Sequence, residues 1–92
     1  MEKLNVHDDT RTFSALPSSV GLLHFAAGTV LPETAHTQNE ISFIHSGVLR
    51  AVSGGREYLL RGGDVTLIPA GELHSAEVLE DVSLSYVLLE PA

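Results

Sequence analysis

The chain of 92 residues carries twelve acidic side chains against five basic ones, a formal net charge of −7, which repels phosphate backbones and anionic headgroups and argues against nucleic-acid or membrane partners. A 43% hydrophobic content with 18% charged residues describes one globular domain, residues 1–92, just long enough for a single core. The absence of cysteine excludes disulfides, thiolate metal sites and a cysteine nucleophile.

The amino-terminal stretch MEKLNVHDDTRTF has no apolar run followed by a small-residue cleavage site, and no segment is long enough to span a bilayer, so a cytoplasmic protein is expected. VGLLHFAAG, residues 20–28, reads as a buried strand. Either of its faces can be the inner one, which leaves His24 unassigned. TAHTQNE, residues 34–40, sets His36 four residues before Glu40. Pro32 and Glu33 would suit a helix start, but that helix would have no apolar stripe to bury. Extended, the segment puts Thr34, His36, Gln38, Glu40, Ser42 and Ile44 on one face and turns His45 the other way.

VLRAVSGGREYLL, residues 48–60, is a hairpin. Gly54 and Gly55 supply the two positive φ angles of its turn, pairing Ala51 with Tyr58 and Leu49 with Leu60, with Arg50 and Glu57 on the opposite face. Gly62-Gly63-Asp64 forms a turn capped by the aspartate side chain, and Pro69-Ala70-Gly71 ends the apolar run VTLI. HSAEVLE then places His74, Ala76 and Val78 in one phase. The last strand, VSLSYVLLE, puts Val82, Leu84, Tyr86 and Leu88 on one side and its serines on the other. Short strands between regular glycine turns predict an all-β sandwich or barrel. Tyr58 and Tyr86 fall in apolar phases suited to the core, Glu72 reads as solvated surface, and His7, His24 and His45 read as surface, core or interface residues.

Two intervals in this order resemble the motifs of the cupins, small single-domain β-barrels of the double-stranded β-helix or RmlC-like jelly-roll type. The first runs Gly28, TVLPE, Thr34-Ala35-His36, TQN, Glu40, ISFIHS, Gly47. It matches the glycine, His-x-His, glutamate and glycine spacing, with threonine at the first histidine. The second runs Gly63, DVTLI, Pro69-Ala70-Gly71, Glu72-Leu73, His74, with Val78 where an asparagine is usual. The resemblance covers roughly residues 20–90 and implies a jelly-roll barrel.

It also implies a divalent metal ion inside the barrel, of iron, zinc, manganese or nickel type, on His36, Glu40 and His74. Gln38 is a secondary ligand candidate and Thr34 the departure. Two histidines and one carboxylate form the ligand set of non-haem iron oxygenases and of catalytic zinc sites. A bland alternative is a hydrogen-bonded polar cluster in which histidine and glutamate satisfy each other.

The family implies isomerases, lyases and dioxygenases, so a metal-dependent enzyme acting on a small polar metabolite is one reading; His36 and Glu40 can also serve as general base and acid. The other is a non-catalytic, metal-free or metal-bound module that captures a sugar or similar ligand, as in sensory cupins, although no DNA-binding region lies within these residues. A homodimer formed by sheet-to-sheet contact is implied for either.

Overall fold

The Val-, Leu- and Ile-rich segments between the glycine turns form strands throughout, as their alternation predicts. A computed structural model describes residues 1–7 and 17–91, and residues 8–13 of the amino-terminal stretch read above lie outside it. The described residues form β1 (Glu2–Leu4), β2 (Pro17–Phe25), β3 (Val30–Thr34), β4 (Asn39–Ser53), β5 (Arg56–Arg61), β6 (Val65–Ile68) and β7 (His74–Leu89). All pairings are antiparallel, and the all-β jelly-roll expectation holds. Among the described residues no helix is long and apolar enough to cross a membrane.

Two long strands organise the molecule. The first half of β4 pairs with β6 and with the second half of β7, which also pairs with β2. Past a series of bulges the second half of β4 pairs with β5 and with the first half of β7, which also pairs with β3. One layer therefore reads β1-β6-β4-β7-β2 and the other β5-β4-β7-β3, joined through the same two strands. Bulges bend a strand and raise its twist, which lets it pass from one layer to the next.

Gly47 sits among these bulges with φ +92, and a Cβ there would lie 2.1 Å from the Asp81 carbonyl oxygen. Only glycine allows the two strands to approach so closely here. Asp81, which lies within the sixteen-residue β7, in turn accepts the Ala27 N–H at 2.8 Å.

The hairpin registers as its turn chemistry demands: Ala51 pairs with Tyr58 and Leu49 with Leu60, with Gly54 and Gly55 at φ +58 and +77. Arg50 reaches Glu57 across the outer face at 3.1 Å. Asp64 caps its turn by accepting the Arg61 N–H at 2.8 Å. Ile44, Leu49, Ala51, Leu60, Val78, Val82 and Leu84 form the core. Val78 and Val82 are fully enclosed, each contributing about 1.5–3 kcal/mol of burial free energy.

The amino-terminal strand departs from its expected environment. β2 is exposed along most of its length, with Val20 and Leu22 at 68% and 83% exposure. It is the edge of its layer and pairs only with β7, so its outward face has no neighbour among the described residues. Leu23 and Phe25 point inward, which turns His24 outward to Ser83 Oγ at 2.9 Å. Gly21 lies under the Tyr86 ring, where a Cβ would be 2.1 Å from the nearest ring carbon.

Candidate metal centre

Three side chains from separate segments converge inside the barrel. His36 stands in the short loop between β3 and β4, Glu40 is the second residue of β4, and His74 opens β7. Their donor atoms all lie within 4.8 Å of one another. The imidazole rings are 5.0 Å apart between centroids and tilted by 57°.

The backbone holds this arrangement from both motifs. Gly71, at φ +82, donates its N–H to the His36 carbonyl at 2.7 Å, and Ala70 N–H donates to Asn39 Oδ1 at 2.8 Å. The Pro69-Ala70-Gly71 turn thus clamps the loop that carries His36. Across the mouth, Thr34 pairs with His74 between β3 and β7.

The hydrogen bonds also assign a ring nitrogen. His74 Nδ1 lies 3.0 Å from the Glu72 carbonyl oxygen, which can only accept, so Nδ1 carries the proton. In the neutral ring this leaves the Nε2 lone pair available, the arrangement that orients metal-binding histidines. His36 Nε2 stands 3.6 Å from Glu40 Oε1, beyond hydrogen-bond range. The other Glu40 oxygen accepts a long bond from Ser42 Oγ at 3.4 Å. Histidine and glutamate thus stand at ion-pair distance without a direct hydrogen bond between them.

The donor set suits a divalent ion. Bonds of ~2.0–2.2 Å put neighbouring donors of one shell roughly 3–3.5 Å apart. His36 and Glu40 stand close to that separation, and the whole set lies within 4.8 Å. His36 is one-third exposed and Glu40 15%, so both open onto the cavity rather than into packed core.

Gln38 takes no part. The strand alternation is interrupted at residues 35–38, and the Gln38 amide donates to Glu90 Oε1 at 3.3 Å, off the cavity lining. Thr34, His36, Glu40, Ser42 and Ile44 all line the cavity, so the shared face survives with this one exception. His45 points out to Ser85 Oγ at 2.8 Å.

Glu72 is a correction as well. It is no free surface carboxylate: its Oε2 accepts from the Met1 ammonium and from Ser53 Oγ at 2.7 Å. The ammonium, and secondly the serine hydroxyl, hold its carboxyl below the usual carboxylate range. A partner 71 residues away leaves no local trace. Asn39 offered a better signal, since asparagine beside a turn commonly bonds neighbouring backbone.

The cavity measures about 290 Å³, at the lower edge for small-molecule sites. The triad and the hydroxyl-bearing Thr34, Ser42, Thr66, Ser75 and Tyr86 are its polar lining, while Leu23, Phe25, Ile44, Leu49, Leu60 and Leu84 supply hydrocarbon walls.

A jelly-roll barrel with an inward triad of this kind defines a cupin. Residues 17–92 match the family described as the AraC-like ligand-binding domain, and the chain belongs to that family. Among curated protein sequences none matches it. Solved structures share the fold at low identity. A conserved protein of unknown function from Streptococcus pyogenes is 18% identical with a TM-score of 0.75, over 79% of this chain and 64% of that one. A predicted oxalate decarboxylase from Thermotoga maritima is 22% identical with a TM-score of 0.75, over 82% and 68%. The Cnp3 cupin domain of Schizosaccharomyces pombe is 21% identical with a TM-score of 0.72, over 78% and 55%. The chain thus spans between about half and two thirds of the length of these structures.

Proposed function

We propose that the barrel holds one divalent metal ion on His36, Glu40 and His74 and transforms a small molecule bound beside it, in a reaction of isomerase, lyase or dioxygenase type. The observation that carries this reading is the convergence of three donors within 4.8 Å, with the His74 proton committed to a backbone carbonyl. A bound divalent ion would supply Lewis acidity to a carbonyl, hydroxyl or water. Glu40 contributes the negative charge that offsets it. His36, one-third exposed and beside that carboxylate, is placed to exchange a proton with the occupant of the cavity. The enclosing hydrocarbon walls keep bulk water from competing at the same point.

The metal content of protein purified without an affinity tag tests the site. One equivalent should be present in the parent chain and absent from His36→Ala and His74→Ala; retention in both variants would overturn the assignment.

A second reading, in which the barrel senses its ligand without transforming it, is favoured by the ligand-binding family that residues 17–92 match. Turnover separates the two, because a sensor saturates with its ligand and returns it unchanged.

For either reading a homodimer is proposed through the outer face of the β6-β4-β7-β2 layer. Leu67, Ile41, Val87 and Val20 align in one row, and Val65, Phe43, Ser85 and Leu22 in the next. From β6 to β2 these rows carry no charged side chain, the nearest being Glu2 of β1 beside Leu67, so in a molecule of net charge −7 two copies meet there with less repulsion than at other contacts.

A further inference from the structure

The walls of the cavity say more about its occupant than the triad does. Among the described residues, no lysine or arginine lines it. The one fixed cation there, the Met1 ammonium, is already paired with Glu72. A phosphate or a dicarboxylate would therefore find no second positive partner. Away from the triad, Ile44, Leu49, Ala51, Leu60 and Ile68 form a buried hydrocarbon wall, and hydroxyls enter the lining at Thr34, Ser42, Thr66, Ser75 and Tyr86. The Ser42 hydroxyl is directed to Glu40. A polyol would leave unpaired those hydroxyls that face the Ile44, Leu49, Ala51, Leu60 and Ile68 wall, and each unpaired group opposes binding.

We propose that the cavity takes a small monocarboxylate with a hydrocarbon body, its carboxylate at His36, Glu40 and His74 and its chain against the Leu49, Ala51, Leu60 and Ile44 wall. The carboxylate end rests on the metal reading of the previous subsection, and the hydrocarbon end does not. A divalent ion with one carboxylate and two neutral imidazoles carries a single net positive charge, which one carboxylate neutralises. Without the ion, Glu40 would repel that head group. Against the expectation of a small polar metabolite, the proposed ligand carries its charge at the head and meets the hydrocarbon wall with its body.

Hexanoate and gluconate separate the alternatives, since they share a head group and a six-carbon chain and differ in the hydroxyls of the body. On zinc-loaded protein, calorimetric titration should show hexanoate binding at least tenfold more tightly than gluconate. In the series from butyrate to hexanoate, affinity should rise about three- to fourfold per added methylene. Gluconate or glucose 6-phosphate equal to or tighter than hexanoate would overturn the proposal.

The metal-free protein, titrated with 1-hexanol and glucose, tests the walls alone. A preference for hexanol supports the hydrocarbon end even if zinc does not bind and the metal reading fails; a preference for glucose overturns it. Ala76→Leu, which fills the cavity from a half-buried position, should weaken hexanoate at least tenfold while zinc content stays at one equivalent. Leu23→Ser on the exposed edge strand provides a second variant should the first not fold. Unchanged hexanoate affinity in either folded variant would overturn placement of the chain in this cavity.

Discussion

Two pairs of histidines occupy opposite faces of the same barrel and meet different fates. Outside, His24 and His45 each sit against a β7 serine, Ser83 at 2.9 Å and Ser85 at 2.8 Å, in open contact with water. Inside, His36 and His74 face each other and Glu40, with His36 and Glu40 beyond hydrogen-bond range. Residue type is the same on both faces. What distinguishes the inner pair is that its rings share one space with a carboxylate, three donor atoms within 4.8 Å of one another, the grouping on which the proposed metal site rests.

The sharpest way to break this contrast is to remove the histidines one at a time and measure divalent-metal affinity. Loss of His36 or His74 should cost on the order of a hundredfold, since even supporting groups around a metal are worth about 10–100-fold. His24→Ala and His45→Ala should change affinity by less than about twofold, because neither ring approaches the triad. A large loss from an outer variant would show that the two faces are coupled.

The outer face supplies the second test. Leu22→Glu places a carboxylate at the β2 end of the apolar rows, and sedimentation at micromolar concentration should report a monomer where the parent chain is a dimer. Metal content should be unchanged, since Leu22 points away from the cavity. A parent chain that is itself monomeric would remove the dimer proposal and leave the inner site untouched.

How much of this was legible in the residues depends on the range of the interaction concerned. The hairpin from Val48 to Leu60 was readable because a Gly-Gly turn fixes register locally, and the inward phase of His74 followed from alternation with Ala76 and Val78. Convergence of His36, Glu40 and His74 was anticipated through the cupin spacing rather than from any single strand. The exposure of β2 was not readable, because an apolar edge strand and an apolar central strand have the same composition; the difference lies in which strands stand beside them. Gln38 failed for a related reason. Alternation holds only while the chain is extended, and residues 35–38 turn. Glu72 depended on an amine at the other end of the sequence, and the hydrocarbon walls on side chains from several strands whose directions alternation settled only in part.

Thr34 is the point at which the inner site departs from the four-ligand pattern, and it stands beside His74 in the strand register. Thr34→His should strengthen zinc binding about tenfold by adding an imidazole at the cavity rim, with the largest gain above the ordinary histidine pKa, where the new ring is neutral. An unchanged affinity would show that position 34 is directed along the rim and not toward the triad.

The smallest expected effect lies beneath His74, at the carboxylate whose backbone carbonyl fixes that ring. The Met1 ammonium and the Ser53 hydroxyl lower the Glu72 pKa from 4.5, so the folded chain binds this proton less readily than the unfolded one. The resulting stabilisation is fully present above the unfolded carboxylate range and is lost as pH falls through the folded value. Because the side chain is one-quarter exposed, solvent screening keeps the contribution small. In urea titrations Glu72→Gln should flatten the decline in stability below about pH 5 while leaving the neutral-pH midpoint only slightly lower. Metal affinity at neutral pH should also hold, because the atom that orients His74 is the backbone carbonyl oxygen and not the carboxylate. If metal affinity fell with this substitution, the side chain as well as the backbone of Glu72 would be supporting the inner histidine, and the boundary between the satisfied and the convergent groups would have to be drawn one residue further out.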